Sequence, residues 1–512
     1  MPMSFQRRQF LRSIGAGALC AGLGPSLSQD LGLLAADIKE PTHKLTFGNY
    51  ERLVSLIQET PLDRFLSAIV KEYQAGTSLE DLVAATALAN TRCFGGEDYI
   101  GFHSLMALCP AYHLARYSGK TDLTPLLKVM YRNARQMQTR QGKDDVLAPI
   151  ESHTETPLTD TGIRDAVRRQ SCLEAEQSLS AITVSNAAQG FEALQSTIQD
   201  DINVHRVVLA WRCWELLPFT GVDQAQTMLR QSIHFCVDSE RERISHQQPE
   251  PAVRSATVKL IDQYRLASLQ PGIRQADDAW ISALSHTIHQ GTREAAAEAV
   301  AGSLADGFSL DSIGQALAMA ANRLLLCDPG LAQKYDSPEM PAGSVHGASV
   351  GVHASDAANA WNHIARTSSP QNAILSLIVG AFHTGGQATG GEPYPQPADR
   401  ESVANVPDDQ LVAQTDEAIR ARDQRRTAAL IDRYRSTNRP VDDLWDLLRR
   451  YAISEDGSLH AEKYFHTARE EFQAARPAHR WGQLISLGRV SASQFGRPAP
   501  GLDEAKQLLA KA

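Results

Sequence analysis

Sixteen histidines run through this 512-residue chain, and some of them recur ten positions apart: His103 with His113, and His353 with His363. Neutral imidazole is the commonest metal ligand and titrates near neutrality, so such a set suits metal binding or proton transfer. The spacing imposes a geometric condition. At about 100° per residue, ten steps leave two side chains roughly 80° apart around a straight helix, so one helix presents both poorly to a single partner. His205, His346 and His383 stand near these pairs, and His346 lies seven residues before His353. A second constellation sits near the C-terminus, where Glu462, His466 and Glu470 follow at i, i+4 and i+8 along one helix stripe. Carboxylate and imidazole at that spacing suit a metal or a proton relay. The candidate metal ligands are therefore His113, His205, His346, Glu462 and His466, and the cofactors such a set would hold are a metal ion or a haem.

The elements that carry these residues look duplicated. Gly101–Asn133 aligns without gaps on Gly351–His383 at an offset of 250, superposing His103 on His353, His113 on His363 and Arg116 on Arg366. The stretch from His205 fits the same frame, with Glu215 in the place of the second histidine. Upstream of each copy, Gly76-Thr77-Ser78-Leu79-Glu80-Asp81-Leu82 matches Gly307-Phe308-Ser309-Leu310-Asp311-Ser312-Ile313 at an offset of 231. The two offsets imply extra residues in the later copy, and the Pro/Gly-punctuated segment Cys327–Val350 supplies them as a loop.

Nearly every periodic segment has helical spacing. Leu62, Phe65, Leu66, Ile69, Val70 and Tyr73 recur at three and four, Gly76 ends that helix, and Ser78 is placed to cap the next. Alternating β-branched runs with hairpin turns do not occur. The expected fold is all-α, a helical-repeat array or bundle built from duplicated helical units with a helical C-terminal extension. A helical core over 45–384 would be followed by a Gly/Pro-rich linker over 385–409 and a charged helical segment over 410–512. Residues 142–165 read as irregular, and Pro110 is expected to break or kink its helix.

Composition narrows the setting. Ser4-Phe5-Gln6-Arg7-Arg8-Gln9-Phe10-Leu11 and the short apolar run after it resemble a twin-arginine export signal over 1–36, which predicts a periplasmic or other extracytoplasmic chain. Losing that segment would move the formal charge from -9 to -11, since it holds three arginines and one aspartate. Such acidity argues against nucleic acid as a partner. No later stretch has the roughly 18 apolar residues of a transmembrane helix. The remaining cysteines form no CxxC or CxxCH motif and read as thiols, which disfavours covalent c-type haem.

Phosphate-loop, dinucleotide and nucleophile-elbow motifs are absent. GFHSLMALCPAYHLARYSG (101–119) and SVHGASVGVHASDAANAWNHIAR (344–366) resemble segments of the questin oxidase-like family of helical, cofactor-poor oxygenases. The resemblance covers those two segments only. It implies an all-α oxygenase acting on a small phenolic or quinone-like ring, with His103, His353 and His363 as catalytic residues near the reacting face. The alternatives left open by the residues themselves are a metal- or haem-binding redox protein and a non-enzymatic helical-repeat binding protein.

Overall fold

The computed structural model describes residues 45–94, 99–117, 119, 121–138, 146–150, 160–338, 341–345 and 349–511. Phe47–Asp145 and Ile150–Ala512 form one compact unit; Leu45, Thr46 and Val146–Pro149 belong to a second unit and are not helical. The fold is all-α: among the described residues there are only isolated bridges, such as Arg274 with Phe308, and no strands. The export segment and His346 lie outside the described residues. No described helix is long and apolar enough to cross a membrane.

Four helices form a closed inner ring: Tyr99–Ala115, Val204–Glu215, Val350–Thr367 and His460–Ala474, hereafter the first to fourth inner helices. The first packs on the second, the second on the third, the third on the fourth, and the fourth returns to the first. Each is followed by a helix that packs against it, namely Thr124–Gln136, Ala225–Ser245, Pro370–Thr384 and Trp481–Gln494 in turn. The inner helices consequently have little solvent face. The third carries Ser355, Asp356, Asn359 and Asn362 buried among its alanines. Small residues allow this closeness. A Cβ at Gly351 would lie 2.6 Å from Leu325 Cα, so glycine is what lets the third inner helix approach Leu310–Leu326.

Local sequence starts these helices as expected in several places. Ser78 Oγ accepts from the Asp81 N–H at 3.0 Å, and the matching Ser309 Oγ accepts from the Ser312 N–H at 3.2 Å. Asn203 caps the second inner helix through the His205 N–H, and Ser349 caps the third through the Val352 N–H. The fourth begins differently. Ser458 and Leu459 both take left-handed backbone, with φ of 50° and 66°, immediately before His460.

Three expectations need correction. Pro110 neither breaks nor ends its helix, which runs unbroken from Tyr99 to Ala115; the flanking helices hold it in place despite the missing donor. A helix over Asp160–Arg168 begins inside the segment expected to be irregular. The stretch 385–409 is not a spacer between separate bodies: Pro397–Val403 is helical, with Gln396 and Asp399 forming a capping box. The charged segment beyond it is half core. Leu430, Tyr434, Trp445, Phe465 and Leu484 join Leu114, Leu325 and Val352 in one apolar cluster.

Candidate functional site

Side chains pointing into the ring fall into two layers. His103, His205, His353 and His460, one from each inner helix, make the first layer. Ring centroids are 4.7 Å apart for His103 and His205, 5.5 Å for His205 and His353, 5.2 Å for His353 and His460, and 5.1 Å for His460 and His103. Ten residues further along the same helices come His113, Glu215, His363 and Glu470. His113 stacks on His466 at 4.8 Å with a 6° interplanar angle, and His363 Nε2 lies 3.2 Å from Glu470 Oε2. Since both layers meet in the same helical order, all four inner helices run in the same direction. Ten residues of helix separate the layers by about 15 Å.

The second layer is a mixed centre. His113, Glu215 and His466 offer ligand atoms that all lie within 4.8 Å of one another, from three different helices. His466 Nε2 is 4.0 Å from Glu215 Oε1 and 3.4 Å from Glu470 Oε1. Arg212 Nη1 occupies the other oxygen of Glu215, at 2.5 Å, and leaves Oε1 toward the histidine. Trp211 stacks on His363 at 4.6 Å and 9°, which fixes that ring's plane. Burial alone would raise both carboxyls. Arg212 and His466 instead hold Glu215 below its usual value, and His466 with His363 holds Glu470 far below it. Packing around its ring and the adjacent His466 pull His113 down to about 4. Two carboxylates and three imidazoles are thus set side by side, and Glu470 retains 27% side-chain exposure, so water reaches the centre.

In the first layer two members are fully buried and two, His205 and His353, are partly exposed. His103 and His460 are 0% and 1% exposed. Burial, with Lys463 nearby, drives His460 well below its ordinary value and His205 to about 3. Between the layers lie Lys463, lowered by burial to about 8, and Asp356, raised by burial and bonded by Thr467 Oγ1 at 2.8 Å.

The three expected catalytic histidines therefore do not share one site: His103 and His353 stand in the first layer and His363 in the second, because ten residues of helix separate them. Of the expected metal ligands, His113 and His466 meet, and His205 belongs to the other layer. Glu462 belongs to neither, because it forms a fully buried ion pair with Lys128 at 2.8 Å. Glu215, which the repeat shows only as a substitution for histidine, is a member of the centre. His460 with Glu470 is a fourth pair that the repeat alignment does not reveal, although it repeats the ten-residue spacing and the His/Glu order of His205 with Glu215.

A further trio, Cys172, Glu176 and His234, also gathers donors within 4.8 Å. There Arg230 Nε and His234 Nε2 both lie 2.6 Å from the same Glu176 oxygen, so the carboxylate is already neutralised by a guanidinium and the trio reads as a structural bridge. A cleft of about 450 Å³ lined by Asp122, Asp416, Arg449 and Tyr451 includes no residue of either layer. No protein-family model, curated protein or solved structure matches this chain.

Proposed function

We propose that this chain is a metal-dependent oxidoreductase whose ion sits on His113, Glu215 and His466, with Glu470 and His363 beside it. One observation carries the reading: three donor atoms from three helices converge within 4.8 Å at a solvent-reached end of the inner ring. Two imidazoles and a carboxylate with further positions open form the donor set of non-haem iron oxygenases, and three protein ligands with an open place mark catalytic rather than structural sites.

The reaction class that this donor set supports is ring-opening dioxygenation of a small dihydroxy-aromatic. Both atoms of dioxygen enter the product, one ring C–C bond breaks, and the four electrons come from the ring, so no other reductant is consumed. Glu470 holds His363 through Nε2, which leaves Nδ1 of that imidazole to take the phenolic proton. The resemblance of 101–119 and 344–366 to questin oxidase-like oxygenases supports a phenolic ring as substrate, and the twin-arginine-like start supports export of a folded, metal-loaded chain. That family is cofactor-poor, so metal content decides between the two chemistries.

The test is iron content together with oxygen consumption. Protein loaded with Fe(II) without air should hold one iron at this centre and consume one dioxygen per ring opened from a dihydroxybenzene panel, and His466→Ala should lose both. A chain that takes up no iron, or oxygen consumption equal in wild type and His466→Ala, would sink the reading.

A further inference from the structure

The four-histidine layer needs an account of its own, since the centre proposed above uses none of its residues. It is nitrogen-only, with His103 and His460 fully buried and His205 and His353 partly so, and one pair in it is joined by a hydrogen bond. His353 Nε2 and His460 Nε2 are 3.1 Å apart. Two nitrogens that share an ion at about 2.0–2.1 Å keep a separation of that order.

The orientation of His460 is set from behind. Its Nδ1 lies 3.2 Å from Gly457 O and 3.1 Å from Ser458 O, and a carbonyl can only accept. Nδ1 therefore carries the proton, and Nε2 turns a lone pair toward His353. A backbone carbonyl behind Nδ1 is the arrangement that fixes tautomer and ring plane in metal-bound histidines. The segment that provides those carbonyls is strained, with Ser458 and Leu459 both in left-handed backbone. Such conformations persist where the surroundings over-determine them, and here they aim one imidazole. His103 and His205 complete the layer, each with its ring centroid within 5.5 Å of two neighbours.

We infer that this layer is a second metal site, taking a monovalent copper ion on His353 and His460, with the rings of His103 and His205 flanking it. Imidazole suits copper, zinc, iron and nickel alike, so charge makes the choice. No carboxylate belongs to the layer, and the nearest acids are engaged elsewhere: Glu462 with Lys128, and Asp356 with Thr467 and the charge of Lys463. Lys463 already places positive charge beside His205 and His460. A second positive charge is tolerable there only if it is small and shared by neutral donors.

The experiment uses the full chain with Glu215→Ala and His466→Ala combined, which removes the open centre and leaves the four histidines intact. Under reducing conditions this protein should still bind one Cu(I) in competition with a chromogenic chelator, and His353→Ala added to it should weaken binding at least tenfold. After oxidation, the electron paramagnetic resonance of the bound copper should show nitrogen-only coupling. Absence of copper binding in the double variant overturns the inference, as does oxygen-rich coupling or binding indifferent to His353→Ala. Should the His353→Ala chain fail to fold, the coupling pattern of the double variant alone still decides. Failure here leaves the iron reading standing, and loss of iron from the open centre leaves this one standing.

Discussion

Two layers of the same four helices differ in what ten residues of travel do to their chemistry. The first is histidine throughout, with His103 and His460 fully buried; the second alternates histidine with glutamate and opens to water. Solvation explains the difference. A carboxylate in the first layer would have to lose its water with only Lys463 close by, whereas Glu215 and Glu470 remain partly wet and draw on Arg212, His363 and His466. Substituting glutamate at the second position of two alternate helices therefore turns one repeated pattern into a nitrogen-only site and a hard, mixed-donor site.

The contrast can be broken most severely by removing both carboxylates of the open layer. Each should cost at least the roughly 100-fold in affinity that a lost outer-shell partner can cost, so Glu215→Ala with Glu470→Ala should weaken iron binding about 10⁴-fold. Chelator competition reads this directly. An unchanged first layer in the same protein, seen as undiminished copper binding, would show that the layers are independent; a parallel loss would show that they are one unit.

Next in size is the ion pair that keeps Glu462 out of the ligand set. Lys128 and Glu462 are both 0% exposed, and Lys128 Nζ also donates to Ala452 O at 3.0 Å. Lys128→Met strands a carboxylate in the interior, which typically costs about 3–5 kcal/mol. Urea unfolding should show that loss while iron binding at the open centre stays the same. A variant of native stability, or one that loses iron, would return Glu462 to the site.

The histidine layer also predicts acid sensitivity. His383 packs behind it, fully in the interior, with its Nδ1 accepting from Trp361 Nε1–H at 3.4 Å, and burial lowers it to about 3. The unfolded chain takes up that proton near 6.5 and the folded chain only near 3. Stability from this group is therefore complete above pH 6.5 and falls between 6.5 and 3 as the pH drops, at up to about 1.4 kcal/mol per pH unit. His383→Gln should flatten the slope of unfolding free energy against pH near pH 5 by about that amount. An unaltered slope would mean that the space behind the layer admits water.

Much of this is legible in the sequence, and the failures have physical causes. Helical period, the caps at Ser78 and Ser309, and the pairing of His103 with His353 follow from local pattern and alignment. What stays hidden is burial. Glu462 and Lys463 look like the exposed face of a charged helix until Lys128 and Asp356, distant in the chain, are brought against them. The same disguise hides His460 and Glu470, whose ten-residue spacing is outshone by the i, i+4, i+8 run of Glu462, His466 and Glu470. Convergence is hidden too, because the 80° offset that disqualifies one straight helix is no obstacle when four parallel helices each contribute at least one side chain to each layer.

The smallest expected effect lies at the rim, where the correspondence between the first and third inner helices continues. Arg116 and Arg366 occupy matching places, and their partners Glu80 and Asp311 match as well, at the offset of 231. Arg116 Nη1 lies 2.8 Å from Glu80 Oε1, and Arg366 Nε lies 3.1 Å from Asp311 Oδ1. Both pairs are well exposed, and exposed ion pairs are worth about 0–1 kcal/mol. Arg116→Ala should cost the less of the two, because Tyr112 Oη still donates to Glu80 at 2.6 Å and keeps that junction tied. Arg366→Ala, without such a substitute, should lower unfolding free energy by no more than about 1 kcal/mol and change metal binding at neither layer. A loss well beyond that would mean that rim contacts, rather than the packed interior of the ring, hold the four helices in phase, and the two layers could then drift apart when a single surface pair is cut.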